Sequence, residues 1–217
     1  MERDFVVKPL VCFRPSMCLP IKRLFGRSSM VRPMQFSITT KDITESTNDD
    51  AWELARQGAP TGTVVAARKQ RAGRGQWGRV WMSPEGGLYF SLIMRPNTPE
   101  RQWPAYSRLF AEAVASVLRE ECGVSDKEIR VKTPNDVICD QGKLCGISLE
   151  SRSGVIVVGV GVNVFHSDRP ILTDGRNEPA YVCDVAEDYI APSYRAIDEL
   201  LQRILNAFAV VVEAPLK

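Results

Sequence analysis

The segment Gln70–Trp81 (QRAGRGQWGRVW) concentrates residues able to handle an anion. Gly73, Gly75 and Gly78 are interleaved with Arg71, Arg74 and Arg79, and Arg68 stands just before them. Glycine lets main-chain N–H groups approach a phosphate closely, and arginine presents a forked pair of donors to it. The spacing Gly73-x-Gly75-x-x-Gly78 imitates a dinucleotide fingerprint. That motif must open a helix and be followed by an acid about 20 residues on. Here the loop runs through VWMSPEGG into the apolar run GLYFSLIM. Gly73 and Gly78 also imitate a P-loop, but Arg79-Val80 stand where Lys-Ser/Thr are required. A phosphate-wrapping loop that is not a helix N-terminus remains, with a solvated hairpin as the competing reading.

Ser46, Thr47 and Asn48 offer two hydroxyls and an amide at a helix start, where such residues most commonly serve as caps. Two basic positions have polar neighbours: Lys132-Thr133-Pro134-Asn135-Asp136, which reads as a turn, and Gly142-Lys143, which alone reads as a hairpin lysine. His166 is the only histidine, and the six cysteines are scattered without a C-x-x-C pair. Zinc sites of the usual spacing, Ser-His-Asp chemistry and a disulfide framework are therefore not expected; free thiols in a reducing compartment are.

The elements that must hold these residues are legible from periodicity. Strands are expected over 36–43, 63–69, 87–94, 129–132, 143–150 and 155–164, the last almost wholly apolar and so central in a sheet. A helix should run from the Ser46-Thr47 caps to Arg56, stopped by Gly58-Ala59-Pro60. A second spans 104–122, with Leu109, Val114, Val117 and Leu118 in its apolar stripe and Gly123 after its end. A third spans 193–212, burying Ile197, Leu200, Leu201, Ile204, Leu205 and Phe208, and residues 170–190 read as irregular. The pattern is α+β, a mixed β-sheet flanked by helices.

The chain has 217 residues, enough for a substantial core, and no apolar run near the ~20 residues a membrane helix needs. Its net charge of +2 is uneven. Residues 1–33 hold seven Lys/Arg against two acids, while residues 34–217 hold twenty-one against twenty-four. The first stretch reads as a basic tail, an over-extended start before Met34, or, least of all, a targeting peptide. The rest reads as one domain. A body so close to neutral does not point to nucleic acid, and neither a nucleic-acid nor a membrane partner is expected.

Read together, the segments resemble the biotin protein ligases. The chain has Glu45-Ser46-Thr47-Asn48, the loop Gln70–Trp81, Ser83-Pro84-Glu85-Gly86-Gly87-Leu88-Tyr89-Phe90-Ser91, Lys132-Thr133-Pro134-Asn135-Asp136, Gly142-Lys143-Leu144-Cys145-Gly146-Ile147 and Gly159-Val160-Gly161-Val162-Asn163. They follow the family order over about residues 43–165. The resemblance implies the fold shared with lipoate ligases and a two-step reaction in the cytoplasm. Biotin carboxylate attacks the α-phosphate of ATP, giving biotinyl-5′-AMP and pyrophosphate. A lysine of a biotin carboxyl carrier protein then takes the biotinyl group and AMP leaves.

The resemblance also implies roles. Ser46, Thr47, Asn48, Gln70, Gly73, Arg74, Lys143 and Gly146 would hold biotin. Gly75, Gln76, Arg79, Trp81, Asn135 and Asn163 would hold ATP or the adenylate, with Trp81 beside adenine. Lys143 is the leading catalytic residue, an ammonium near the developing charge, joined by Arg74, Lys132 and Asp136. Asp136 would either accept the carrier lysine's proton or help hold Mg²⁺. Two positions depart from the family pattern: Gln76 replaces an arginine, and Thr133 replaces a tryptophan. Arg68 or Arg71 could restore the lost charge, and Trp103 could fill the lost wall. Thr133 leaves a ligase for a related acid such as lipoate as an alternative, and the two departures with the chain's extent leave a non-catalytic binding module. The sequence stops just after the last helix, so the family's small C-terminal SH3-like domain is expected to be absent. An N-terminal DNA-binding domain is expected to be absent too, and with it repressor activity. Pairing of two copies through a sheet edge is a family habit.

Overall fold

A computed structural model describes residues 3–4, 34–168, 171, 177–186, 189 and 191–213. The expectations for most of the stretch 1–33 lie outside them. Among these residues one sheet of eight strands organises the fold: β1 (Arg3–Asp4), β2 (Ser37–Thr44), β3 (Thr63–Gln70), β4 (Leu88–Met94), β5 (Arg130–Lys132), β6 (Asp136–Cys139), β7 (Gly142–Arg152) and β8 (Val155–Val162). Their order is β1-β2-β3-β4-β8-β7-β6-β5. β2 and β3 are parallel, joined by α1 (Thr47–Arg56), and every other pair is antiparallel. The sheet is therefore mixed, as the sequence suggests.

The two faces of the sheet carry cores of unequal size. α2 (Pro104–Cys122) and α3 (Tyr194–Glu213) cover one face, where Phe110 and Phe208 pack with ring centroids 4.4 Å apart. The expected buried side of α3 is buried in full, whereas Leu109 of α2 is exposed, its place in the stripe taken by Tyr106 and Phe110. Gly123 ends α2 in the left-handed conformation, at φ 63°. α1 covers the other face with a small cluster of Ala51, Ala55, Val65, Ile93, Val155 and Val157.

β8 runs through the middle, and both its faces are buried. Ile156, Val158, Val160 and Val162 enter the larger core, while Val155 and Val157 lie beneath α1. Strand period two places Gly159, Gly161 and then Asn163 on the α1 side as well. That side thus changes along one strand from core, to bare backbone, to a polar end. Two strands were not anticipated: β1, in the stretch read as a tail, and β6, which starts at the Asp136 of Pro134-Asn135-Asp136. The four described cysteines, Cys122, Cys139, Cys145 and Cys183, are free thiols, and no helix among the described residues is long and apolar enough to cross a membrane.

Candidate active site

The bare stretch of β8 is the floor of a cleft. Two rungs cross it: Ser91, Gly159 and Ser148 pair side by side on β4, β8 and β7, as do Tyr89, Gly161 and Gly146. Each rung seats a side chain from elsewhere. A Cβ on Gly159 would lie 2.3 Å from Asn48 Oδ1 and 2.5 Å from Ser148 Oγ. A Cβ on Gly161 would lie 2.3 Å from Trp81 Nε1, and one on Gly146 would lie 2.9 Å from the Trp81 ring. Side chains at these positions would expel Asn48 and Trp81.

All the expected site residues line this cleft except Gly73, Lys132 and Asp136. Gly73 lies just behind it, where a Cβ would strike Trp81 O at 2.5 Å and Ser83 Oγ at 2.6 Å. Lys132 stands at the rim, its Nζ donating to Asn177 Oδ1 at 2.7 Å. Asp136 lies next to the cleft, with Oδ1 2.7 Å from Lys143 Nζ.

At the α1 end the polar groups satisfy one another. Thr47 N and Oγ1 both donate to Gln70 Oε1, at 2.8 and 3.0 Å, and Gln70 Nε2 donates to Ser83 Oγ at 2.8 Å. Ser91 Oγ donates to Asn48 Oδ1 at 2.6 Å. Asn48 Nδ2 donates to Glu150 Oε1 at 2.8 Å, and Trp52 Nε1 to Glu150 Oε2 at 2.7 Å. Ser46 occupies the N-cap position without a capping hydrogen bond from its side chain; its Oγ accepts from Arg74 at 3.2 Å. Gln70, reaching across from β3, receives the Thr47 amide at the helix start instead.

Arg74 is bound to carboxylates. Its Nε lies 3.0 Å from Glu150 Oε1 and its terminal nitrogen 2.7 Å from Asp49 Oδ1. The hydrogen bond it donates to Asp49 holds the guanidinium above its ordinary pKa, against the opposing effect of burial and with Glu150 adding to the rise. Burial pushes the Glu150 carboxyl up, but hydrogen bonds from Arg74, Asn48 and Trp52 outweigh it and leave the pKa below the usual carboxylate range. An incoming anion can reach Arg74 by displacing Asp49, whose side chain is 60% exposed, while Glu150 stays in place at 23%.

The β7–β8 end is different. Lys143 Nζ lies 5.1 Å from the centre of the Trp81 ring as well as beside Asp136. The backbone of Lys143 is gripped from outside: its N–H donates to Glu178 O at 2.7 Å and its carbonyl accepts from Ala180 N at 3.0 Å. Gly142 permits that grip, since a Cβ there would strike Glu178 O at 2.2 Å. Asn163 Nδ2 donates to Lys143 O at 2.9 Å, and Asn135 Nδ2 to Ile147 O at 2.9 Å. Among the described residues, Asn163 Oδ1 and Trp81 Nε1 are buried without a hydrogen-bond partner. Buried polar atoms of this kind are costly unless something meets them.

The glycine-arginine segment closes this end as a hairpin. Gly75 N donates to Arg79 O at 2.7 Å and Trp81 N to Gly73 O at 2.9 Å. Its tip, Gln76–Gly78, is a single 3-10 turn with Trp77 at φ 61° and 89% exposed. Gln76 leans onto α2, its Nε2 donating to Ser107 Oγ at 3.2 Å. Neither suggested substitute for the missing arginine lines the cleft: Arg68 is paired with Asp198 on α3 at 2.7 and 2.8 Å, and Arg71 with Glu45 at 3.1 Å. Thr133 is exposed and outside the cleft lining, and Trp103 does not fill a wall there. Trp103 is in the core, its Nε1 donating to Thr98 O at 3.0 Å. Sequence reasoning missed Ser91, Ser148, Glu150, Gly159 and Gly161 as site residues. The available signal was strand period two, Gly146-x-Ser148-x-Glu150 against Gly159-x-Gly161-x-Asn163.

The profile of the biotin/lipoate A/B protein ligase family matches residues 41–165, and the chain belongs to that family. It is 39% identical over 176 residues to the bifunctional ligase/repressor BirA of Bacillus spizizenii, covering 77% of this chain and 51% of that protein. It is 33% identical over 172 residues to the biotin–[acetyl-CoA-carboxylase] ligase of Paracoccus denitrificans, covering 76% and 69%. The Aquifex aeolicus biotin protein ligase in complex with biotin and ATP superposes with a TM-score of 0.64 at 26% identity, over 83% of this chain and 73% of that one. The chain spans about half the length of the B. spizizenii relative.

Proposed function

We propose that this chain is an ATP-dependent ligase that activates biotin as biotinyl-5′-AMP and transfers it to a lysine of a biotin carboxyl carrier protein. The observation that carries this reading is the cleft itself, where Lys143, the Trp81 face and two unmet buried polar atoms lie opposite a closed hydrogen-bonded wall. That arrangement suits a small neutral head group at one end and a nucleotide at the other. The enzymes with these names among its relatives support the same substrates.

In the first step a carboxylate oxygen of biotin bonds to the α-phosphorus and the bond to pyrophosphate breaks. Lys143 stabilises the charge that develops on the transferring phosphoryl group. Thr47, Asn48 and Gln70 position biotin, while Trp81 and Asn163 receive adenine and Arg79, Gly75 and Gln76 line the phosphate side. Arg74 meets the anion once Asp49 gives way. In the second step the carrier lysine attacks the acyl carbon, the acyl–phosphate bond breaks and AMP leaves. Asp136 is the proposed acceptor of the amine proton, and Lys132 at the rim is placed to meet the carrier. Asp136 is already engaged by Lys143, so it does not suit a protein-held magnesium. Magnesium would enter on ATP, with phosphate and water as ligands. Pairing of two copies through a sheet edge and a cytoplasmic setting belong to this proposal as family habits.

The test is transfer of labelled biotin to a carrier domain with ATP, run beside lipoate. Biotin transfer is expected. Transfer of lipoate alone, or tight biotin binding without transfer, refutes the proposal.

A further inference from the structure

Away from the cleft, the only histidine of the chain meets a cysteine and an aspartate. Among the described residues, His166, Cys183 and Asp184 form the one group whose ligand atoms all lie within 4.8 Å of one another. His166 Nε2 lies 2.9 and 3.1 Å from the two Asp184 oxygens, and Cys183 Sγ is 3.9 Å from Asp184 Oδ1. The His166 main-chain amide also faces the Cys183 sulfur. Residues seventeen and eighteen apart are brought together by the backbone: Val182 N donates to Asn163 O and Cys183 N to Val164 O, each at 3.0 Å. The imidazole rests against Tyr181, ring centroids 4.0 Å apart, which orients Nε2 toward the carboxylate.

We propose that His166, Cys183 and Asp184 form a zinc site on the wall behind the nucleotide end of the cleft. One nitrogen, one sulfur and one oxygen suit a borderline-soft divalent ion, which binds them at about 2.0–2.3 Å in tetrahedral geometry. Tetrahedral ligands at those lengths stand about 3.4–3.6 Å apart. The distances of 2.9 and 3.9 Å straddle that value, so small movements of the exposed His166 and Asp184 side chains complete the site around the half-buried Cys183. Water supplies the fourth ligand, and the thiol proton is released on binding. The ion would tie the end of β8, with Asn163, to the turn that follows Asn177 and Pro179 of the cleft wall. The spacing His166–Cys183-Asp184 resembles no common zinc motif, which is why sequence reading passed over it.

The test is titration of the whole chain, reduced, with zinc and with cobalt(II) as a spectroscopic stand-in. One equivalent is expected to bind, and cobalt to give a thiolate-to-metal charge-transfer band. The band should vanish in Cys183→Ser and in His166→Ala, with circular dichroism unchanged, and persist when Cys12 and Cys18 are both replaced by serine. A folded parent chain with no band, or a band that survives Cys183→Ser, overturns the proposal and leaves an exposed histidine–aspartate pair. Neither readout depends on ligase activity.

Discussion

The two ends of the cleft are built on opposite principles. At the α1 end Thr47, Asn48, Gln70, Ser91 and Glu150 hydrogen-bond one another, and the wall is complete without a ligand. At the β7–β8 end Trp81 Nε1 and Asn163 Oδ1 are buried without partners among the described residues, and the hairpin that closes it carries an exposed Trp77 at its tip. A self-satisfied wall selects by shape and by the few lone pairs it leaves over. A wall with unmet polar atoms is stabilised by whatever meets them, so its ligand contributes binding energy there. On the proposed function, the first end would govern which acid enters, and the second how firmly the nucleotide and adenylate stay.

The largest effect should come from the junction of the two ends. Lys143→Ala is expected to slow adenylate formation by about 10²–10³, read by biotin-dependent pyrophosphate exchange. A near-parent rate in a folded variant would remove Lys143 from the chemistry. Next is Glu150→Gln, which should cost about 1.5–3 kcal/mol, the range for hydrogen bonds to a charged group. Because the folded Glu150 pKa is lowered, its stabilisation is present above the ordinary carboxylate pKa and fades as pH falls through the folded value. The gap between parent and variant in thermal midpoint should therefore be widest at neutral pH and close in acid. A gap that grows in acid contradicts the shift.

Trp81→Ala tests the other wall. It should weaken nucleotide binding by about 1–3 kcal/mol, as loss of a base-stacking aromatic does, raising KM for ATP and leaving affinity for biotin alone nearly unchanged. An equal loss at both substrates would mean that the ends are not separable. The smallest effect is expected from Gln76→Arg, a severalfold slower release of adenylate measured by trapping after chase. No change would show that phosphate charge at this end is set without position 76.

Much of this was legible beforehand, and the reasons differ by element. The α3 stripe was read without error because six apolar residues repeat at helical spacing with nothing to compete. β6 was missed because its four residues start at the Asp of a Pro-Asn-Asp that reads as a turn, and a strand that short has too few positions to show alternation. Leu109 was misplaced because Phe110 beside it, fully buried, decides which side of α2 faces inward. In the site, most of the expected residues line one cleft, because motif residues are marked by type. Their partners were not. Nothing local says that Arg74 meets Glu150, seventy-six residues away, or that Gln70 receives the amide of Thr47. Those pairings are set by register between strands distant in sequence.

The glycine rungs carry a consequence for how the cleft comes into being. Asn48 and Trp81 find their seats only when β8 lies between β4 and β7 in the right register, since a slip of one residue would put valine where each glycine stands. A loosely formed sheet with the helices attached would present no usable cleft. Substrate capture is thus an audit of the finished register, and a ligand that binds here favours the fully assembled chain over its partly folded forms.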